Sequence, residues 1–302
     1  MRKHKRSHFT SLHFIIALPI LLWSSSEPRN LTANEHALAL KDVAFMTTDL
    51  KPGAAVAVRL INKNSPLTRL CYNKECYALT DKWQIIGTDN QTASRPTFLF
   101  EDKSNAWTTK KLNIEADLFA MNQKAIKLRL PASVINTLNE ESEFIAQDTE
   151  KQKQLFRKIS NIEWAKNWQA PLGHIHVVSD FASWRIPPNG VPYTHTGVDL
   201  RAAAGSQVHA VSDGVVVEAN SEVIGGQVVT IDHGQGVTSR YLHLSEFKVK
   251  VGDHVKAGDV IALSGSTGRA EAPHLHWEMR IRGVPVDPLS TRQLMARLSG
   301  LE

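Results

Sequence analysis

Two short stretches far apart in the chain, Pro273-His274-Leu275-His276-Trp277-Glu278 and His195-Thr196-Gly197-Val198-Asp199, carry the nitrogen and oxygen donors of a metal site. On a β-strand, residues two apart face the same way. His274 and His276 therefore project toward one spot, where one can bind a metal and the other stand beside it. His195 and Asp199 are four apart, which is roughly 13 Å on a straight strand and too far to share an ion bound at about 2 Å. The chain must turn between them. Gly197 permits a turn, and the β-branched Thr196 and Val198 together with Gly197 disfavour a helix. Two histidines and a carboxylate, with a fourth position left for water, form a catalytic zinc set whose chemistry is hydrolysis. Glu278 follows His276 by two residues and faces the same side, either as a support for a ligand or as a surface or strand-pairing carboxylate.

The elements that hold these residues read as strands. From Gly205 onward, short β-branched runs are broken by Gly and Asp: Val215 to Val217, Val228 to Ile231, Val237 to Tyr241, Val260 to Leu263 and Leu275 to Ile281. Antiparallel strands with no long amphipathic helix between them are expected. An internal echo, Gly-x-x-Val-x-Ala, recurs at Gly205 to Ala210 and Gly252 to Ala257, as if one hairpin unit were used twice. Lys248 to Ile261 also fits the hairpins of biotinyl- and lipoyl-carrier domains. Those carriers need an exposed lysine between characteristic neighbours, which this chain lacks, and that reading leaves His195, Asp199 and His276 without a purpose.

The segment from about Asn167 to Pro288 resembles the zinc metallopeptidases of the lysostaphin and LytM type, family M23. The resemblance rests on six ordered signatures. They are His195-x-Gly-x-Asp199, Asp213-Gly-Val-Val216, Asp232-His-Gly-x-Gly236, Tyr241-Leu-His-Leu244, Gly252-x-x-Val-x-x-Gly258-x-x-Ile261 and Pro273-His-Leu-His-Trp-Glu278. It implies that His195, Asp199 and His276 hold Zn2+ and that His243 and His274 move protons. It further implies that the substrate is the peptide part of peptidoglycan, with the D,D-cross-link the natural target in a periplasm. Some proteins of this type have lost ligands and act as non-enzymatic activators of other wall hydrolases, whereas this chain keeps every matching residue. The family commonly has an arginine after a Ser-x-Phe-Gly stretch. This chain reads Ser179-Asp-Phe-Ala-Ser-Trp-Arg185, without the glycine and with altered spacing, so no substrate role is assigned to Arg185. His174, His176, His209, His233 and His254 are expected to be structural or exposed, with His233 placed by its signature near the site wall. The loops Arg185 to Thr194 and Gly265 to Ala272 flank the ligand segments and would shape bond specificity.

The amino terminus has the form of a secretory leader: Arg2, Lys3, Lys5 and Arg6 precede the apolar run Phe14 to Trp23, and Ser24 to Ser26 follow. The run is about half the roughly 20 residues that span a bilayer, so no stable membrane span is expected. No lipobox cysteine follows it. Export to a periplasm is expected, with secretion or wall association as the alternative. The leader's four basic residues account for most of the formal charge of +5, leaving about +1, and nothing points to nucleic acid. The only two cysteines, Cys71 and Cys76, suit a small disulfide loop in an oxidising compartment.

Between leader and peptidase segment, Val56 to Ile61, Trp83 to Ile86, Thr97 to Phe100 and Ala125 to Leu130 read as strands. Asn139 to Trp168 reads as a helix with Leu155, Ile159 and Ile162 on one face. The expected class is mainly β: an antiparallel β-sandwich-like M23 peptidase domain preceded by a small β-rich domain and a linking helix. The expected order is signal peptide 1–26, β-rich domain 27–138, helical linker 139–166, peptidase 167–290 and C-terminal tail 291–302. The β-rich domain is the natural place for a regulatory protein partner.

Overall fold

The computed structural model describes residues 42–47, 53–88, 97–102, 107–111, 126–130, 132–158, 160, 166–187 and 192–300; the expected leader lies outside the described residues. The described residues begin with seven strands: β1 (Val43–Met46), β2 (Ala55–Leu60), β3 (Leu67–Tyr72), β4 (Glu75–Ala78), β5 (Gln84–Gly87), β6 (Thr97–Asp102) and β7 (Trp107–Lys111). They form two sheets, β1-β2-β5 and β4-β3-β6-β7. In β2, Val56 and Val58 pack with Leu70, Phe98 and Phe100 between the two sheets. Ala55 and Ala57, which alternate with them, enter the main core of the molecule together with Trp83 and Ile85. A strand apolar on both faces is one covered on both faces, so this β-rich region shares a core with the carboxy-terminal strands. Gly87 lets the first sheet come close, since a Cβ there would meet Val286 at 2.9 Å. Cys71 and Cys76 lie directly opposite in the β3–β4 hairpin and are joined by a disulfide. The turn between these strands, Asn73-Lys74, has φ of 48° and 70°, the left-handed pair that a tight hairpin of this twist requires.

Ala125 to Leu130 does not extend those sheets. Among its described residues β8 (Ile126–Lys127) forms, and it pairs in parallel with β10 (Trp184–Ile186), beside the candidate site. Around the helix expected over 139–166 the described residues form two helices, α1 (Ala132–Glu140), which begins before that span, and α2 (Ser142–Arg157). Lys158 is already extended, and Ile159 and Ile162, expected on the apolar face of the helix, lie outside the described residues.

The remaining strands are β9 (Val177–Ser179), β11 (Tyr193–Thr194), β12 (Val198–Arg201), β13 (Gln207–His209), β14 (Gly214–Glu222), β15 (Gly226–Asp232), β16 (Val237–Phe247), β17 (His254–Val255), β18 (Val260–Ser264), β19 (His274–Ile281) and β20 (Val284–Val286). Ten of these make one sheet along the path β17-β14-β15-β16-β19-β12-β9, with β18 and β20 joined to β16 and β19. The two halves of the sequence echo pair with the sheet as β13 with β18 and β17 with β14. A helix, α3 (Pro288–Ser299), runs from the end of the expected peptidase segment into the expected tail, started by Asp287 accepting from the backbone of Leu289 and Ser290, with proline in its first turn. It buries Leu294, Met295 and Leu298, each worth on the order of 2 kcal/mol. No helix among the described residues is long and apolar enough to cross a membrane.

His233 belongs to this core. It is 1% exposed, packs edge-on against Trp168, donates from Nδ1 to the Asp213 carbonyl at 2.7 Å, and has Ser239 Oγ 2.7 Å from Nε2. Burial pushes its pKa down to about 4. The unfolded chain, with histidine near 6.5, takes up a proton that the fold refuses, so stability falls as pH drops from about 6.5 to about 4. His233→Gln should flatten this decline by about 3 kcal/mol relative to the native chain in paired urea titrations at pH 7 and pH 4. Parallel declines would show that His233 is not the proton-linked group.

Candidate metal centre

Strand alternation builds the site. In β19, Leu275, Trp277, Met279 and Ile281 point into the core at 0 to 1% exposure, which leaves His274, His276, Glu278 and Arg280 on the other face. β12 lies antiparallel beside it with Asp199 opposite His276, and β16 lies on the other side with Arg240 opposite Glu278. The chain bends at Thr196-Gly197, so that His195, just past β11, reaches the same spot as Asp199. Gly197 serves here through its lack of a side chain: a Cβ would meet the Trp277 carbonyl at 2.4 Å and His276 Nε2 at 2.9 Å.

His195, Asp199 and His276 are all buried and converge. His276 Nδ1 lies 2.8 Å and His195 Nε2 3.1 Å from Asp199 Oδ1, and the two ring nitrogens are 2.9 Å apart. Their other nitrogens are already committed, because His195 Nδ1 donates to the Asp180 carbonyl at 2.8 Å and His276 Nε2 donates to Glu278 at 3.1 Å. Two imidazole lone pairs and a carboxylate oxygen thus point at one another, a set of acceptors that a divalent cation satisfies. The donor set therefore fits zinc. Burial alone would raise the Asp199 carboxyl, but the His195 and His276 rings against it outweigh burial and hold the group far below the carboxylate range. Burial depresses His195. Burial would likewise lower His276, but the carboxylates of Asp199 and Glu278 on either side of the ring raise it above the ordinary value. The second oxygen of Asp199 takes a 2.6 Å bond from Arg185, which also donates to Ser179 at 2.6 Å.

His243 and His274 stand beside this cluster with ring centroids 4.8 Å apart, His243 being 6.0 Å from His276. In a regular β16, His243 would alternate away from Arg240 and into the core. A bulge between β15 and β16 and a left-handed His243, φ 60°, turn it to the site face. Its backbone donates to the Gly225 carbonyl at 2.8 Å and its Nδ1 to the Thr267 carbonyl at 2.8 Å, which leaves Nε2 for the site. Burial and the neighbouring histidines push it down to about 3, so it is neutral. His274 donates from Nδ1 to the Ala272 carbonyl at 2.8 Å, and its Nε2 lies 3.6 Å from Asp199.

The five residues singled out in the sequence are thus brought together, and His233 is not among them. Glu278 supports a ligand, accepting from His276 and, at 2.6 Å, from Thr196. Arg185, given no role from its sequence context, is the partner of Asp199. Ala182, standing where the glycine would be, adopts φ 59°, so the turn is kept without the residue that usually signals it.

The sequence pattern described as peptidase family M23 matches residues 193–288. Peptidoglycan DD-endopeptidase ShyA of Vibrio cholerae is 39% identical over 125 residues, covering 38% of this chain and 29% of that protein. DD-carboxypeptidase/endopeptidase Mpg of Neisseria meningitidis is 41% identical over 120 residues, covering 40% of this chain and 28% of that protein. The matches thus span under a third of the length of these curated relatives. A solved structure from Pseudomonas aeruginosa assigned to peptidase M23 covers 82% of this chain and 96% of its own at 22% identity and a TM-score of 0.54, a likeness of fold.

Asp199→Ala should abolish tight zinc binding in competition with a chromophoric chelator. Arg185→Met, which frees one oxygen of Asp199, should weaken zinc binding by about ten- to a hundredfold. Wild-type affinity in Asp199→Ala would remove it from the ligand set.

Proposed function

We propose, from the match of residues 193–288 to peptidase family M23, that the protein is an exported zinc-dependent endopeptidase that cuts peptide bonds in peptidoglycan, D,D-cross-links foremost. The observation that carries the reading is the convergence of His195, Asp199 and His276 with two further histidines beside them. The names of the Vibrio and Neisseria relatives support the substrate and the bond. The basic-then-apolar amino terminus and the Cys71–Cys76 bridge support export to an oxidising compartment such as a periplasm.

In this reading His195 Nε2, Asp199 and His276 Nδ1 hold the zinc. A bound zinc supplies a Lewis acid that polarises the scissile carbonyl and acidifies water. His243, neutral and with its Nδ1 fixed on Thr267, offers Nε2 to take the proton that the attacking water loses. His274, with 17% of its side chain exposed, stands where an imidazole can meet the oxyanion or protonate the leaving amine. Water adds to the carbonyl carbon, the carbon–nitrogen bond breaks, and the proton taken from water ends on the amine. Glu278 and Arg185 keep the ligands in the required tautomer and orientation.

Purified sacculi incubated with the protein should lose cross-linked muropeptide dimers, as read by mass spectrometry, and a chelator should stop the loss. His243→Ala should retain zinc while turnover falls by about a hundredfold or more. Zinc-loaded protein that leaves sacculi intact, yet stimulates another wall hydrolase, would replace this reading with that of a non-enzymatic activator.

A further inference from the structure

Helix α2 lies outside the segment matched by the family pattern, and it makes an unusual contact. A surface helix of its length normally buries an apolar stripe of three to four residues per two turns. α2 buries only Phe156. Two of its polar contacts aim at one place, the turn between β14 and β15. Asp148 accepts from the Val223 backbone N–H at 3.1 Å, and Gln152 donates to Glu222 at 2.9 Å.

Two chains of contact run from that turn into the site. Along the first, Gly225 carries the carbonyl that accepts from the backbone N–H of His243, and Gly226 abuts Thr267, whose carbonyl fixes the His243 ring. A Cβ on Gly226 would lie 2.4 Å from the Thr267 carbonyl carbon, so the turn and that loop cannot move independently. His243 holds a left-handed φ, a conformation that persists only where surrounding contacts enforce it. Along the second, Glu222 accepts from Arg240 at 2.7 Å, and Arg240, 2% exposed, lies 3.6 Å from the Glu278 carboxylate that holds His276. The Phe156 ring lies under both arginines of this network, 5.7 Å from the Arg240 guanidinium and 4.7 Å from that of Arg280, which itself pairs with Glu278 at 2.8 Å.

We propose that α2 is a positioning element of the catalytic centre, with Asp148 acting on His243 through the 222–226 turn and Gln152 and Phe156 acting on His276 through Glu222, Arg240 and Glu278. The proposal rests on the peptidase reading for its effect on turnover. Its effects on metal affinity and on the imidazoles stand without that reading. Asp148 and Gln152 are both partly buried and belong to neither hydrophobic core cluster, so their replacement leaves the core intact.

The test uses the full chain loaded with zinc and reads three quantities: kcat and KM on isolated cross-linked muropeptides, the zinc dissociation constant by chelator competition, and the imidazole N–H proton resonances. Asp148→Leu should lower kcat about tenfold with KM and zinc affinity unchanged, and should shift the His243 Nδ1–H signal. Asp148→Asn, which keeps an acceptor for Val223, should restore both. Phe156→Leu should raise the zinc dissociation constant about tenfold and shift the His276 Nε2–H signal, and Gln152→Ala should do the same without touching the core. Native kcat, zinc affinity and resonances in Asp148→Leu and Gln152→Ala would overturn the proposal even if their Tm fell, since that is what a merely packed helix does. A loss in Asp148→Leu that Asp148→Asn fails to rescue would overturn it equally. If the native chain cleaves nothing, the resonances and zinc affinities still decide the matter.

Discussion

The carboxylate of Asp199 is the charge around which the site is organised. One oxygen faces His195 and His276 at 3.1 and 2.8 Å, and the other is taken by Arg185 at 2.6 Å. An anion this deeply buried is tolerable only when its surroundings supply positive charge or donors. Arg185 supplies one cation. The two histidines have spent their N–H groups on Asp180 and Glu278 and turn lone pairs inward. What remains at the centre is a place for a second cation, which is the physical content of calling these three residues a metal site.

That arrangement depends on an approach between strands closer than side chains normally allow. Gly197 brings the His195–Asp199 bend against the backbone of β19, and the register of β12 on β19 then sets Asp199 opposite His276. From there the two-residue alternation does the sorting, with Leu275 and Trp277 anchoring the core while His274, His276 and Glu278 share the polar face. Only His243 breaks the alternation, and a bulge with a left-handed backbone is the means.

Much of this is legible in the residues because it derives from period. The facing of His274 with His276, the strands from Val215 to Ile281 and the need for a bend before Asp199 are consequences of strand geometry. The assignment of five residues to one site comes from resemblance, and the fold brings those five together. Other features have no local signature. Nothing in Tyr241-Leu242-His243-Leu244 announces a bulge, and the choice of Nδ1 rather than Nε2 on His276 depends on Glu278 being within reach. The role of Arg185 is obscured by the missing glycine, although Ala182 takes up the same left-handed turn. The joining of the two β regions is hidden because Ala55 and Ala57 look like filler until the packing of β2 shows both faces covered. Helix α3 has a readable start, Asp287-Pro288, ahead of Leu294, Met295 and Leu298.

The most direct test of the central claim is a crystal of the zinc-loaded protein measured on both sides of the zinc absorption edge. The account predicts one strong anomalous peak bound at about 2 Å by His195 Nε2, Asp199 Oδ1 and His276 Nδ1, with His243 and His274 outside bonding distance. A peak ligated by His274 in place of His276, or one that lacks Asp199, would contradict it.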